Sequence, residues 1–388
     1  MLGYLVRVHI PRRRTVALGL APLLIAGLAS CGLMSDSDDS ADSSKKVENA
    51  ALPDPAGSSA APGGASTPPP AQAAPGTEIT VALAGDVHFF ERTVPRLNAG
   101  AEGALGPIGR TLADADLAMV NLESAITERG TPENKTYHFR APAKALTELK
   151  TVGVDVVSMA NNHAVDYGKV GLDDSIAAVQ NPPIGVVGIG KDADQAYRPF
   201  VKNVKGVKVA FVAASQVQDI TNQLYRAGAG KPGIASALQA DRLVRAVKDA
   251  KAQADVVIVY MHWGIEGDKC PSTDQTGLTR KLADAGAAAV LGTHAHVMQG
   301  AGWMGSTYVG YGYGNFLWYG TSPYPNSNDT GVATLTIKDG RVVGEKFTPA
   351  SIDNRGVPMP ATGAEAKRIL DRRDTLRPCT GLTATPKK

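Results

Sequence analysis

Five apolar runs in this chain stop at residues that carry chemistry, and that repetition limits the fold more than any other feature. They are "EITVALAGD" (78–86), "DLAMVNLE" (116–123), "VDVVSMANNH" (154–163), "ADVVIVYMHWG" (254–264) and "AAAVLGTHAH" (287–296). Their β-branched content and length predict buried strands, and "VKVAFVAAS" (207–215) adds a sixth. Between them "PAKALTELKTVG", "KVGLDDSIAAVQ", "ASALQADRLVRAVKDAKAQ" and "DQTGLTRKLADAG" have helical spacing. Strands alternating with helices predict an α/β fold whose sheet is covered on both faces. Towards the C-terminus, "STYVGYGYGNFLW" (306–318) and "GVATLTIKDGRVVGEKFTPAS" (331–351) predict antiparallel hairpins, the second turning at Asp339-Gly340. A charged helix over "GAEAKRILDRRD" follows.

The N-terminus reads as a targeting device. Arg12, Arg13 and Arg14 precede the apolar "TVALGLAPLLIAGLAS", too short for a stable membrane span, which leads into Leu28-Ala29-Ser30-Cys31-Gly32. This end resembles a bacterial lipobox, in which Cys31 is acylated and becomes the mature N-terminus. A plain cleaved signal, a twin-arginine signal and an uncleaved anchor are the alternatives. The expected location is extracytoplasmic, on the outer face of the cell membrane. The expected divisions are a signal peptide (1–31), a Ser/Ala/Pro/Gly-rich tether (32–77), a folded domain (78–350) and a C-terminal extension packing on it (351–388). Such a tether spans roughly 35–40 Å on average. A net charge of +3, with no basic stripe interleaved with aromatics, argues against nucleic acid as a partner. Of three cysteines, Cys270 and Cys379 remain once Cys31 is lipidated, and an oxidising compartment favours a disulfide between them. Neither has a cysteine or histidine at metal-ligand spacing.

Open α/β sheets gather function beyond the carboxyl ends of their strands. The ends found here supply Asp86 and His88, Asn121 and Glu123, Asn162 and His163, His262, and His294 and His296. A single buried histidine is ordinarily a structural, hydrogen-bonded residue. Here five of seven histidines stand at strand ends, leaving only His9 and His138 elsewhere. Hard oxygen and borderline nitrogen donors together suit Mn²⁺, Fe²⁺ or Zn²⁺, and there are more than one ion needs, so two divalent ions are expected.

The order Asp-x-His, acidic residue, Asn-His, His and Gly-x-His-x-His resembles the metallophosphoesterase (calcineurin-like) superfamily. More closely, "NLESAIT", "FRAP", "ANNHAVDYG", "HWGIEG", "GTHAHVMQG" and "YGNFLW" resemble the poly-gamma-glutamate capsule biosynthesis family of the CapA type, over residues 79–350. The resemblance implies a four-layer sandwich, two mixed β-sheets flanked by helices. It also implies one ion on Asp86, His88 and His296 and another on Asn162, His262 and His294. His163 then stays off the metals, protonating a leaving group or steadying an anionic oxygen. The chain departs from the superfamily at the bridging position, where Asn121-Leu122-Glu123 replaces Gly-Asp; Glu123 either bridges the ions or binds one. Asp166 either orients His163 or caps a helix. Arg140 and Lys135 are candidates for an anionic substrate or are plain solvated charges. Glu266, Gln299 and Asn315 are candidate substrate contacts or satisfy loop backbone, while Trp263, Trp303 and Trp318 are expected to pack. The implied function is a metal-dependent hydrolase acting on an anionic polymer or phosphoester in capsule or envelope metabolism. The alternative is a non-catalytic polyanion-binding or export protein attached to a membrane synthetase complex.

Overall fold

A computed structural model describes residues 74–387; the signal segment, Cys31 and the tether up to residue 73 lie outside the described residues. In chain order the main strands are β1 (Glu78–Val87), β2 (Leu117–Leu122), β3 (Val156–Ser158), β4 (Gly185–Val187), β5 (Phe200–Val204), β6 (Val207–Ser215), β7 (Val256–Trp263) and β8 (Ala289–His294). They continue with β9 (Ala301–Met304), β10 (Thr307–Gly310), β11 (Asn315–Leu317), β12 (Asp329–Lys338), β13 (Arg341–Ile352) and β14 (Pro358–Pro360). The longer helices are α1 (Lys144–Thr151), α2 (Gly168–Ala178), α3 (Ala240–Lys251), α4 (Thr273–Asp284) and α5 (Gly363–Leu376). Among the described residues no helix is long and apolar enough to cross a membrane.

Two mixed sheets result. The first has the order β14-β13-β12-β1-β2-β3-β4, parallel from β1 to β4 and antiparallel from β1 to β14. The second runs β9-β10-β8-β7-β6-β5, with β6, β7, β8 and β10 parallel and antiparallel strands at both edges. Side-chain alternation then sorts the core into three apolar seams. Val81, Leu83 and Met119 meet Phe211, Ile258 and Leu291 between the sheets. Their neighbours Ala82, Ala84 and Val120 face the other way, onto Leu112, Leu149 of α1 and Leu172 of α2. On the far side, Val257, Val259 and Met261 cover Leu243 and Val247 of α3 with Leu278 and Leu282 of α4. Three seams make four layers, helix, sheet, sheet, helix, and each fully buried Leu, Ile or Val contributes about 1.5–3 kcal/mol.

The parallel strands of both sheets end at one pole, where Asn121 of β2 comes within 3.3 Å of His262 of β7. One close approach fixes that pole. A Cβ on Gly85 would sit 2.0 Å from the Gly314 carbonyl oxygen, so only glycine lets β11 lie against the end of β1 and bring Asn315 into register with Asp86. This corrects the hairpin expected over 306–318. Its first half does pair back, β10 on β9, but β11 leaves and runs parallel to β1, because Gly314 takes a left-handed turn. The C-terminal segment is woven in: β14 extends the first sheet, Ile369 and Leu376 of α5 pack on Met298, and Cys379 is disulfide-bonded to Cys270.

Candidate metal centre

Asp86, His88, Glu123, Asn162, His262, His294 and His296 converge at that pole, and none is more than 8% exposed. Glu123 stands among them, with Oε2 3.0 Å from His88 Nε2 and Oε1 3.1 Å from His262 Nε2. Asn162 Oδ1 lies 2.7 Å from the same His262 Nε2. Asp86 accepts the His294 backbone N–H at 3.3 Å and lies 3.7 Å from His296 Nδ1. Glu123, His294 and His296 each offer one ligand atom within 4.8 Å of the other two. The turn that carries the last pair is strained: His294 has φ 89° and His296 φ 56°, a left-handed backbone that side chains other than glycine's adopt at about 1–3 kcal/mol each.

Burial sets the electrostatics. It pushes the Asp86 carboxyl up to about 7, and the neighbouring Glu123 charge adds to this. Burial opposes the Glu123 charge too, yet His262 and His88 beside it hold that carboxyl well below its usual range. The His88 and His294 imidazoles are lowered, again by burial first, which keeps them neutral. Three atoms here are buried without a hydrogen bond: His88 Nδ1, His294 Nδ1 and Glu123 Oε1, whose 3.1 Å approach to His262 Nε2 is not aligned for one. An orphaned buried polar atom costs about 1–3 kcal/mol. Three in one cluster of imidazoles and carboxylates fit the donor set of divalent cations.

Other side chains hold these in place. His262 Nδ1 lies 3.0 Å from Thr293 Oγ1. Asn121 donates to Asp86 at 2.8 Å and accepts from Asn161, which also donates to the Leu122 carbonyl and accepts the His163 N–H. His163 Nδ1 is 2.7 Å from Asp166 Oδ2, and this carboxylate also accepts the Phe139 N–H at 2.7 Å. Between the two readings of Asp166 the geometry therefore places it on His163; α2 has Tyr167 as its N-cap. Lys135 lies 2.8 Å from Asp166 Oδ1, donates to the Asn162 carbonyl and is 3.6 Å from Asp219. Phe139, Trp318 and Tyr319 wall the cluster, with ring centroids 4.3, 4.9 and 5.3 Å from that of His88. A cavity of about 310 Å³ opens beside it, lined by Lys135, Tyr137, Asn162, His163, Glu266 and His294 among others.

Asn121, marked in the sequence at a strand end beside the departure from the superfamily, serves to position Asp86, and Trp318 packs as expected; Thr293, Phe139 and Tyr319 carry no signal in the sequence that ties them to the cluster. Three expected substrate contacts need correction. Arg140 is exposed and stacks on Tyr167 with its guanidinium 4.6 Å from the ring, because strand alternation turns it away from the face that Phe139 occupies. Gln299 has its amide committed, donating to the Asp268 and Cys270 carbonyls and accepting from Gln275. Asn315 is fully buried, with its carbonyl oxygen 3.0 Å from His296 Nδ1 and its amide on the Ser327 carbonyl, so it orients an imidazole instead of facing a ligand. Glu266 does stand at the cavity, accepting from the Tyr324 hydroxyl at 2.6 Å.

Known proteins share this sequence pattern. "Capsule biosynthesis protein CapA" of Bacillus anthracis is 27% identical over 311 residues, 77% of this chain and 73% of the relative. "PGA biosynthesis protein CapA" of Bacillus subtilis is 25% identical over 288 residues, 73% of each chain. A crystal structure described as a novel phosphatase, from Mycoplasma pneumoniae, overlaps with a TM-score of 0.46 and 14% identity, over 76% of this chain and 97% of that one. The family profile "Bacterial capsule synthesis protein PGA_cap" matches residues 80–319, a stretch that holds every expected ligand from Asp86 to His296 as well as Trp318 and Tyr319. The chain therefore belongs to the bacterial capsule synthesis protein family PGA_cap.

Proposed function

We propose that this protein is an extracytoplasmic lipoprotein, anchored through Cys31 and held off the membrane by its tether, which hydrolyses a phosphoester-type bond in the metabolism of an anionic capsule or envelope polymer. The observation that carries the hydrolytic reading is the juxtaposition of three orphaned ligand atoms with a hydrogen-bonded His163–Asp166 pair, beside a cavity that His163 and His294 line. Asp86, His88 and His296 would hold one divalent ion, Asn162, His262 and His294 a second, with Glu123 between them. Such ions, Mn²⁺, Fe²⁺ or Zn²⁺, supply polarisation of an anionic substrate oxygen and a lowered pKa for water.

The chain's own residues supply proton transfer and positioning. Asp166 accepts from His163 Nδ1, which fixes the tautomer and leaves Nε2 as the atom that meets a leaving oxygen. Lys135 ties Asp166 to the Asn162 carbonyl, so the proton donor and a metal ligand keep one spacing. Phe139 and Trp318 exclude water from the His88 side, where low dielectric strengthens every charge interaction.

The test is elemental analysis of the purified full-length protein together with phosphomonoester and phosphodiester assays. The wild type is compared with His88→Ala, His294→Ala and His163→Ala. Expected are about two ions per chain, loss of metal in the first two variants, and full metal with a roughly 10²–10⁴-fold lower rate in the third. Metal without turnover on any phosphoester would sink the hydrolase reading and leave polymer binding. No metal under any supplementation would sink the centre itself.

A further inference from the structure

Most arginines here are spoken for. Arg92, Arg96, Arg129, Arg355, Arg368 and Arg373 each donate to carboxylates or carbonyls. Among the arginines whose side chains have no hydrogen-bond or ion-pair partner among the described residues, Arg198, Arg242 and Arg245 stand together, lining one surface cleft of about 410 Å³. Its floor is Tyr197, a buried ring whose hydroxyl donates to the Ser236 carbonyl at 2.6 Å and accepts the Ser236 N–H at 2.9 Å. The Arg242 guanidinium lies 5.7 Å from that ring's centroid, and Arg245, one turn on along α3, shares its face. Arg226 is near enough for its charge to act on the same phenol. Asp194 and Asp249 also line the cleft, so the cations outnumber the carboxylates.

The floor of the cleft is joined to the functional pole through Tyr197, which hydrogen-bonds Ser236. Ser236 bridges to Ser215, the last residue of β6, and Ser215 is the register partner of His262 on β7. The cavity beside the metal centre, by contrast, is poor in free positive charge. Its lining lysine, Lys135, is already engaged by Asp166 and Asp219, and Glu266 adds a negative charge at its edge. The side-chain charge needed to hold the rest of a long anionic chain has to come from outside that cavity.

We infer that the Arg198/Arg242/Arg245 cleft is a docking groove for a carboxylate-rich polymer, its floor joined through Ser236 and Ser215 to the strand end that carries His262; this rests on the anionic-polymer reading proposed above. Guanidinium groups left unpaired at a surface bind carboxylates in bidentate fashion, and several along one groove match a chain that repeats its charge. Tyr197, held by its two hydrogen bonds to Ser236, offers its ring face to the Arg242 guanidinium.

The experiment measures binding of a fluorescent oligomer of γ-linked glutamate to the full-length protein by anisotropy, with metal content and phosphoester turnover read on the same preparations. The variants are the triple Arg198→Ala/Arg242→Ala/Arg245→Ala and the triple lysine equivalent. Expected is about a tenfold weaker affinity in the alanine triple, from three exposed charge pairs. The lysine triple should recover part of it, the salt dependence should shallow, and metal and turnover should not change. Equal affinity in wild type and alanine triple would overturn the groove while leaving the polymer reading intact. A wild type that binds no oligomer would overturn both. Loss of binding to phosphatidylglycerol vesicles, with oligomer binding retained, would reassign the cleft to the membrane and overturn the inference.

Discussion

Asp86→Asn tests the electrostatics of the centre at nearly constant shape: asparagine keeps an oxygen for Asn121, and the loss of the acceptor for the His294 N–H is a pH-independent cost that drops out of a comparison across pH. In metal-stripped protein the Asp86 carboxyl is raised from 3.8 to about 7, by burial first and by Glu123 second. Between those values the folded state keeps a proton that the unfolded chain has released, so this residue's contribution to stability falls as the pH rises from about 4 to 7 and is flat above. About three pH units at about 1.4 kcal/mol each gives a loss of about 4 kcal/mol. Other groups slope the opposite way. The lowered His88 and His294 add stability as the pH climbs to their unfolded value of 6.5, and the lowered Glu123 contributes above 4.5 and loses that contribution in acid. The wild-type curve alone therefore hides the effect, and the informative quantity is the difference between variant and wild type. Urea titrations followed by tryptophan fluorescence at pH 4 to 8, after chelation, should show the Asn variant gaining about 4 kcal/mol on the wild type across that window. Adding a divalent ion should reverse the order, because a bound cation favours the charged carboxylate. A difference that stays flat with pH would refute the argument that burial and Glu123 make Asp86 costly to ionise.

Gly85→Ala should destabilise by more than about 2 kcal/mol in a urea melt, because its Cβ would lie 2.0 Å from a backbone oxygen that cannot swing away. Reducing Cys270–Cys379, which closes a span of 109 residues, should cost up to about 4–5 kcal/mol on the chain-entropy account, read as a lower Tm in reductant. Gln299→Ala should leave metal content unchanged while costing about 1–3 kcal/mol from the carbonyls and amide it orphans; a selective rise in KM at full stability would restore it as a substrate contact.

The strands that carry the chemistry were legible because a buried parallel strand must be apolar along its length and can turn polar only where it ends. Asp86, Glu123, Asn162, His262 and His294 were all marked that way. What resisted reading depends on contacts between distant segments. Nothing local says that β11 leaves its hairpin to lie along β1, since that follows from the space at Gly85, some 230 residues earlier. Arg140 and Phe139 are neighbours with opposite roles, Phe139 packing on His163 while Arg140, the first residue of the short strand Arg140–Ala141, faces solvent. Gln299 and Asn315 look like pocket residues in sequence because they are polar and follow ligands; only the positions of Gln275 and His296 show that their amides are taken.

The proposed ligands come from both sheets: Asp86, His88 and Glu123 from the ends of strands in the first, His262, His294 and His296 from the second. The seam joining those sheets is otherwise packed with side chains such as Leu83, Ile258 and Leu291, which grip without preferring a particular offset. A slip of one residue along the strands, about 3.3 Å, would leave that seam greasy and closed but would carry His88 out of reach of any ion shared with His296. A metal held there would act as a rivet through two plates, and its removal should show first at the pole, with the His294 amide, which donates across to Asp86, exchanging before either sheet frays.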